Sequence, residues 1–273
     1  NSIVKSGAAK LVSSESYRNP VKMQSGDTTH NILSKEQETI VTEVLKDFDA
    51  GNRQTYLIHG STGSGKTDMA ISLAKKLNGA IINADAFQVY RELNIATAKP
   101  SEAQRLEVPH FLFDFVPVSS SYSVYEYQAD LRATIADLQE LHKPIIIAGG
   151  TGLYIRAGLY DYSFPEEKVV DLSVYEKMDD DTLHAALQKM DPEEAKTIHP
   201  HNRIRVLRAM KVYLSSGKKK SEIKAEQEHK PIYDDVYFFG LNAERLPLYE
   251  RVNQRVEEMF KAGLVEENRA LYE

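Results

Sequence analysis

Residues 56–77 read YLIHGSTGSGKTDMAISLAKKL, and the order of chemistry along that stretch decides the fold. Tyr56-Leu57-Ile58-His59 is a short run suited to a buried strand. Gly60 to Thr67, GSTGSGKT, fits the phosphate-binding pattern G-x-x-x-x-G-K-[ST]. From Asp68 to Leu77 the spacing puts Met69, Leu73, Ala74 and Leu77 on one helical face. Strand, glycine loop and helix in that order make a cradle for an anion. Gly60, Gly63 and Gly65 let backbone N–H groups turn inward, with Ser61, Thr62 and Ser64 between them. The helix start adds partial positive charge, Lys66 adds a full one, and the Thr67 hydroxyl can hold Mg²⁺. The loop suits a nucleotide or another di- or triphosphate.

Outward from the loop, the same alternation continues. Leu33 to Phe48 predicts an amphipathic helix, with Ser34 as N-cap, Gln37 three residues later, and Ile40, Val44 and Leu45 as its apolar face. Ala80 to Asp85 reads as a short strand ending in a carboxylate. A helix is expected over Val124 to Leu141, then the strand Pro144-Ile145-Ile146-Ile147-Ala148, which breaks into Gly149-Gly150-Thr151. Val236 to Leu241 is a last strand. Apolar strands alternating with helices predict an α/β fold: a P-loop NTPase-like parallel sheet flanked by helices. Ligands of such sheets gather at the carboxyl ends of the strands. The loop 60–67, Asp85 and Thr151 should therefore meet in one cleft.

The rest of the chain divides by composition. Residues 1–31 are polar and irregular and read as a loosely ordered leader; 32–160 form the first part of the core. Residues 161–200 turn acidic, helical and strandless, a small helical insertion in which Asp179-Asp180-Asp181-Thr182 opens a helix and Asp191-Pro192 ends it. Residues 201–273 return to the core. There, Arg203 to Leu214 predicts a helix with Val206, Leu207, Met210 and Leu214 inward and Arg205, Arg208 and Lys211 turned toward a ligand. Leu246 to Leu271 supplies a final helical region with Arg251 and Arg255 one turn apart.

Composition excludes several classes of function. The chain of 273 residues has no cysteine, which removes disulfides, thiolate catalysis and cysteine-ligated zinc together. Its eight histidines show no tight metal spacing. A net charge of −6 argues against a uniformly basic nucleic-acid binder, so RNA contact requires a local patch. No signal-peptide pattern opens the chain and no run approaches the ~18 apolar residues of a membrane span, so a cytoplasmic protein is expected.

Asp85 carries the sharpest chemical expectation. A carboxylate at a strand end beside a phosphate loop can hold Mg²⁺, accept a proton from a nucleophile, or cap a helix. Residue chemistry by itself leaves these open.

Five blocks narrow the choice: GSTGSGKTDMAISLAKKLNGAIINADAFQVYRELNIATAKP, VPHFLFDFVP with YSVYEYQ, PIIIAGGTGLYIRAGLY, HPHNRIRVLRAMKVYLSSGK and RVNQRVEEMFKAGLVEE. In this order they resemble the tRNA dimethylallyltransferases, over residues of about 60 to 273. The resemblance implies that the loop grips the diphosphate of dimethylallyl diphosphate through Gly60 to Thr67, with Arg255 reaching the pyrophosphate and Mg²⁺ as cofactor. It implies catalytic roles for Asp85, Lys66 and Thr151, with Asp85 the general base that relieves the adenine N6 amine of its proton. Asp85, Ala86, Phe87, Gln88, Thr151, Arg205 and Arg208 fall on positions the family uses around the prenyl donor and the tRNA anticodon stem-loop, and a monomer is expected. The chain departs from the family in reading Ala96-Thr97-Ala98-Lys99-Pro100 where GTAKP is usual, in having Phe111 where a second polar residue often follows the histidine, and in a shorter insertion. It also stops at Glu273, before the tail that in family members contacts the anticodon loop.

The 59 residues before Gly60 are unlike that family. Tyr17-Arg18-Asn19-Pro20 and Leu33-Ser34-Lys35-Glu36-Gln37, leading into the loop, resemble the approach to the first motif of a primosomal replication-restart helicase, as in a chimera joined within the loop. An ATP-dependent helicase is thus one alternative, although nothing after Thr67 offers its acidic second motif. An adenylate isopentenyltransferase acting on free AMP, ADP or ATP is another. A non-enzymatic phosphate-binding remnant is the third.

Overall fold

The computed structural model describes residues 33, 35–51, 55–60, 64–164, 168–227, 230–241 and 245–272. The leader 1–31, the capping residue Ser34 and the loop positions Ser61, Thr62 and Gly63 lie outside the described residues.

Five strands form one sheet: β1 (Thr55–Gly60), β2 (Ala80–Asn83), β3 (His110–Phe111), β4 (Ile145–Gly149) and β5 (Val236–Leu241). Their order is β3-β2-β4-β1-β5, and every pairing is parallel. Leu57 stands opposite Ile147 and Phe238, and Ile82 opposite Ile147, so the apolar runs are in register across the sheet. Side chains alternate between the faces. Tyr56, Ile58, Ile81 and Ile146 pack with Met69, Leu73, Ala74 and Leu77 of α2 (Lys66–Leu77) and with Ile40, Val41 and Val44 of α1 (Lys35–Asp49). Leu57, Ile82 and Ile147, pointing the other way, are equally buried. Such double burial is why these strands carry continuous apolar sequence.

Two helices of the core begin at reciprocal side-chain caps. Ser123 forms a reciprocal capping box with Glu126 at the start of α4 (Val124–Glu140), and Ser101 does the same with Gln104 for α3 (Glu102–Glu107). α5 (Gly152–Leu159) follows β4 directly. The final helical region is two helices, α11 (Arg245–Lys261) and α12 (Leu264–Ala270), separated at Gly263, whose φ of 99° suits glycine. The two-residue strand β3 and the six-residue α3 were absent from the expected elements. Neither is long enough to show a period.

The chain forms two compact units, residues 1–159 with 231–273, and residues 160–230. The second extends past the expected insertion of 161–200 and takes in 201–230, which the sequence reading gave to the core. Its interior explains the difference. Val206, Ala209 and Met210 of α9 (Arg203–Ser216) pack on Leu183 and Leu187 of α7 (Asp180–Met190) and on Ala195 of α8 (Pro192–Thr197). Asp191, fully buried, accepts from Glu194 N (3.1 Å), Ser221 N (2.9 Å) and Ser221 Oγ (2.6 Å), joining the start of α8 to α10 (Lys220–Glu226). Glu194, 3% exposed, is paired with Lys224 and Lys220. Both buried carboxylates therefore have the partners that burial demands.

Candidate active site

The carboxyl ends of β1, β2 and β4 converge on one cavity whose lining includes Lys66, Thr67, Asp85, Gln88, His110 and Gly149. Lys66 and Thr67 open α2, directly after Gly65, whose φ of 77° turns the chain into the helix. A side chain on Gly65 would be strained at that φ, and its Cβ would lie 2.7 Å from the side-chain amide nitrogen of Gln37, which would have to move. Gln37, expected as a capping partner, is 4% exposed, and its Nε2 donates to Ser64 O (3.3 Å). The helix that precedes the sheet thus reaches the base of the phosphate loop. Ser64 is 5% exposed, and its Oγ has no partner among the described residues.

Asp85 follows β2 in a turn that opens no helix. Asn83 Oδ1 accepts from Asp85 N (2.9 Å), while Asn83 Nδ2 donates to Asp85 O (2.9 Å) and Leu112 O (3.0 Å). Asp85 Oδ1 accepts in turn from Phe87 N (3.0 Å). This is local side-chain-to-backbone bonding of the kind short polar residues favour in turns, which displaces the helix-cap reading. From the neighbouring strand end, Thr151 N donates to Ala84 O (3.0 Å) and Thr151 Oγ1 accepts from Ala86 N (3.0 Å). The Thr151 hydroxyl therefore holds the Asp85 turn from behind.

The two turns approach so closely that only glycine fits between them. A Cβ on Gly149 would meet the carbonyl of Ala84 at 2.2 Å. Beneath Asn83, Tyr127 donates to Asn83 O (2.7 Å) and stacks on Tyr154 at 3.8 Å. Tyr154, its hydroxyl pushed up to about 12 first by burial and then by the charges of Tyr90 and Asp85, is near enough to feel that carboxylate.

Electrostatics link the cations to the same point. Burial pulls the Lys66 ammonium below its ordinary pKa; Asp85 opposes this and Arg255 adds to it. Arg255, on α11, is likewise lowered by burial and supported by Asp85 and Glu258. Two partly desolvated cations thus stand near Asp85, and an anion bound between them would offset the cost of their burial. Phe87 is 64% exposed beside Asp85, and Gln88 is held by its Nε2, which donates to Thr97 O (3.0 Å) and Ala98 O (3.4 Å).

The structure thus brings together Ser64, Gly65, Lys66, Thr67, Asp85, Ala86, Phe87, Gln88, Thr151 and Arg255. Arg205 and Arg208 belong to the second unit, where both are exposed on α9. Several residues escaped the sequence reading. Gln37 resembled a cap, and the pair Tyr127 and Tyr154 looked like ordinary core. Lys99, seen only as part of a motif block, has a side chain just 2% exposed that bridges Asp114 Oδ1 (2.6 Å), Asn94 Oδ1 (2.9 Å) and the carbonyls of Tyr90 and Arg91.

Comparison with known proteins shows the family to which the chain belongs. A family model described as IPP transferase matches residues 88–273. The tRNA dimethylallyltransferase of Anoxybacillus flavithermus is 44% identical over 225 residues, 82% of this chain and 72% of that protein. That of Bacillus subtilis is 41% identical over 224 residues, 80% and 71%. Among solved structures, a eukaryotic dimethylallyltransferase acting on tRNA matches with a TM-score of 0.70 at 32% identity; the alignment covers 81% of this chain but only 56% of that one. The tRNA delta(2)-isopentenylpyrophosphate transferase of Staphylococcus epidermidis matches with a TM-score of 0.53 at 39% identity, covering 80% and 74%. These relatives lend no support to the helicase-like reading of the N-terminal residues.

Proposed function

Because the chain belongs to the IPP transferase family, we propose that it transfers a dimethylallyl group from dimethylallyl diphosphate to the N6 amine of an adenosine near the tRNA anticodon, releasing pyrophosphate. The observation that carries this reading is the meeting of Lys66, Thr67 and Asp85 in one cavity at the strand ends, with Arg255 near enough for its charge and that of Asp85 to act on one another. In the reaction, the bond from N6 to the allylic C1 forms as the C1–O bond breaks, the amine proton passes to Asp85, and both bonding electrons leave with pyrophosphate.

An allylic diphosphate can ionise part of the way to a delocalised cation. The protein's main task is then to stabilise departing negative charge, exclude water and aim the amine. Lys66, Arg255 and the amides at the start of α2 meet the first need. With Oδ1 anchored on Phe87 N, Asp85 presents its carboxylate in a fixed orientation. Thr151 contributes by holding that turn, and Ala86, Phe87 and Gln88 form the wall along which an unstacked adenine would lie. Arg205 and Arg208 are assigned to the RNA backbone.

Magnesium fits the donor set in a limited way. Thr67 supplies one hydroxyl oxygen, and no group of three His, Cys, Asp or Glu side chains capable of holding a metal exists among the described residues. An ion bound beside Thr67 would draw its other oxygens from diphosphate and water, and would neutralise charge on the leaving group.

Incubation with labelled dimethylallyl diphosphate and either tRNA or AMP tests the proposal. Label in tRNA alone is the expected result. Label in AMP would make this an adenylate enzyme, and ATP hydrolysis stimulated by single-stranded DNA without prenyl transfer would overturn the reading altogether.

A further inference from the structure

Glu267, on α12, occupies an unusual position for a half-exposed carboxylate. Three consecutive backbone amides converge on it: Asn94 N on Oε2 at 2.9 Å, Ile95 N on Oε2 at 2.8 Å and on Oε1 at 3.1 Å, and Ala96 N on Oε1 at 3.1 Å. Successive amides turned inward in this way form an anion-binding concavity. Here the anion comes from the chain itself, 171 residues or more along the sequence.

The loop that offers these amides is rigid on its other side. Thr97 Oγ1 donates to Leu93 O (2.7 Å), Ala98 adopts a φ of 47°, and Gln88, a cavity-lining residue, holds Thr97 O and Ala98 O through its amide. Across Gly263 from Glu267 lies α11, the helix of Arg255. Tyr249, Val256 and Phe260 of that helix are exposed and Leu248, Val252 and Met259 only partly buried, so none of its described apolar side chains is fully buried. A polar anchor then carries much of its placement.

We propose that Glu267 is a positioning residue for the donor site: seated on the amides of Asn94 to Ala96, it holds the α11–α12 pair so that Arg255 faces the cavity containing Lys66 and Asp85. This rests on the reading that Arg255 binds the departing diphosphate. A carboxylate offers acceptors alone, whereas an amide would turn N–H donors against N–H donors. Glu267→Gln is therefore a disruptive change despite its similar shape.

The test measures KM for dimethylallyl diphosphate and kcat in the wild-type chain, Arg255→Ala, Glu267→Gln and the double variant, with thermal unfolding of each. Glu267→Gln is expected to raise the donor KM by about ten- to a hundredfold, the worth of a hydrogen bond to a charged group. The double variant is expected to be no worse than Arg255→Ala, because both act through one guanidinium. Unchanged donor KM in Glu267→Gln, even with a lowered unfolding temperature, would overturn the proposal. So would a multiplied effect in the double variant. Unchanged donor KM in Arg255→Ala would instead defeat the diphosphate role of Arg255, and this inference with it.

Discussion

At the scale of single residues, the cavity sets two opposite demands on charge. In the proposed reaction Asp85 has to accept a proton while Lys66 keeps one. Asp85→Asn preserves the shape of the turn and an acceptor for Phe87 N, but removes the base. Turnover should fall by about 10²- to 10⁴-fold while donor KM changes little; steady-state kinetics showing near-normal turnover would refute the assignment. For Lys66 the sign follows from burial, which lowers its pKa from the ordinary 10.5. Diphosphate prefers the ammonium form, so donor affinity should decline as pH rises through that lowered value, before an ordinary lysine would titrate. The unliganded protein behaves in the opposite sense. Between the lowered pKa and 10.5 the unfolded chain binds more protons, so this group's contribution to stability grows with pH. A pH series of donor KM, repeated on Lys66→Arg, reads the effect: the decline should disappear from the alkaline range, because a guanidinium stays protonated there.

At the scale of elements, the site depends on how closely two strand ends meet. Gly149→Ala places a methyl group 2.2 Å from the backbone of Ala84, where no flexible side chain can yield. The turns must separate, at a cost of about 1–3 kcal/mol or more in stability, and Thr151 loses its hold on Ala86. Denaturant unfolding alongside turnover should show both defects; a fully active, fully stable variant would contradict the packing argument. The loop after Ala86 is secured differently. Lys99 is buried among carbonyls and Asp114, and Asp114 is held below the usual carboxylate range: burial acts to raise it, but hydrogen bonds from Lys99 and Arg105 outweigh that effect. Lys99→Met should destabilise the chain by about 1–3 kcal/mol, since Asp114 keeps Arg105 but the carbonyls of Tyr90 and Arg91 lose their donor, and a melt unchanged from wild type would remove Lys99 from this role.

At the scale of the whole molecule, the chain divides its labour between two compact units. The first contains the cavity and the groups proposed to bind the donor. The second offers α9, where Arg205 and Arg208 are exposed on a chain of net charge −6. On the proposed function, RNA affinity would therefore depend on local basic residues. Replacing Arg205 or Arg208 by Ala should weaken tRNA binding and flatten its salt dependence by about one unit of slope for each phosphate that the arginine neutralised, without altering donor KM. Filter binding over a range of salt concentrations reads this directly, and an unchanged slope would remove the arginine from the RNA interface.

Much of this arrangement is legible in the amino-acid order. The strand, glycine loop and helix from Tyr56 to Leu77, the three further apolar strands and the carboxylate at Asp85 are written locally, because a doubly buried strand must be apolar throughout and a phosphate turn must contain glycine. Tertiary structure decided what no period or motif encodes. Gln37 reaches Ser64, Thr151 holds Ala86, Lys99 ties Asp114 to the carbonyls of Tyr90 and Arg91, and Glu267 lies on amides far away in sequence. It also assigned residues 201–230 to the second unit, because the apolar face of α9 could bury itself on either body and only packing selects which. Local sequence specifies what each segment can become; a hydrogen bond or contact between distant segments is a property of the assembled chain and leaves no signal in either segment alone.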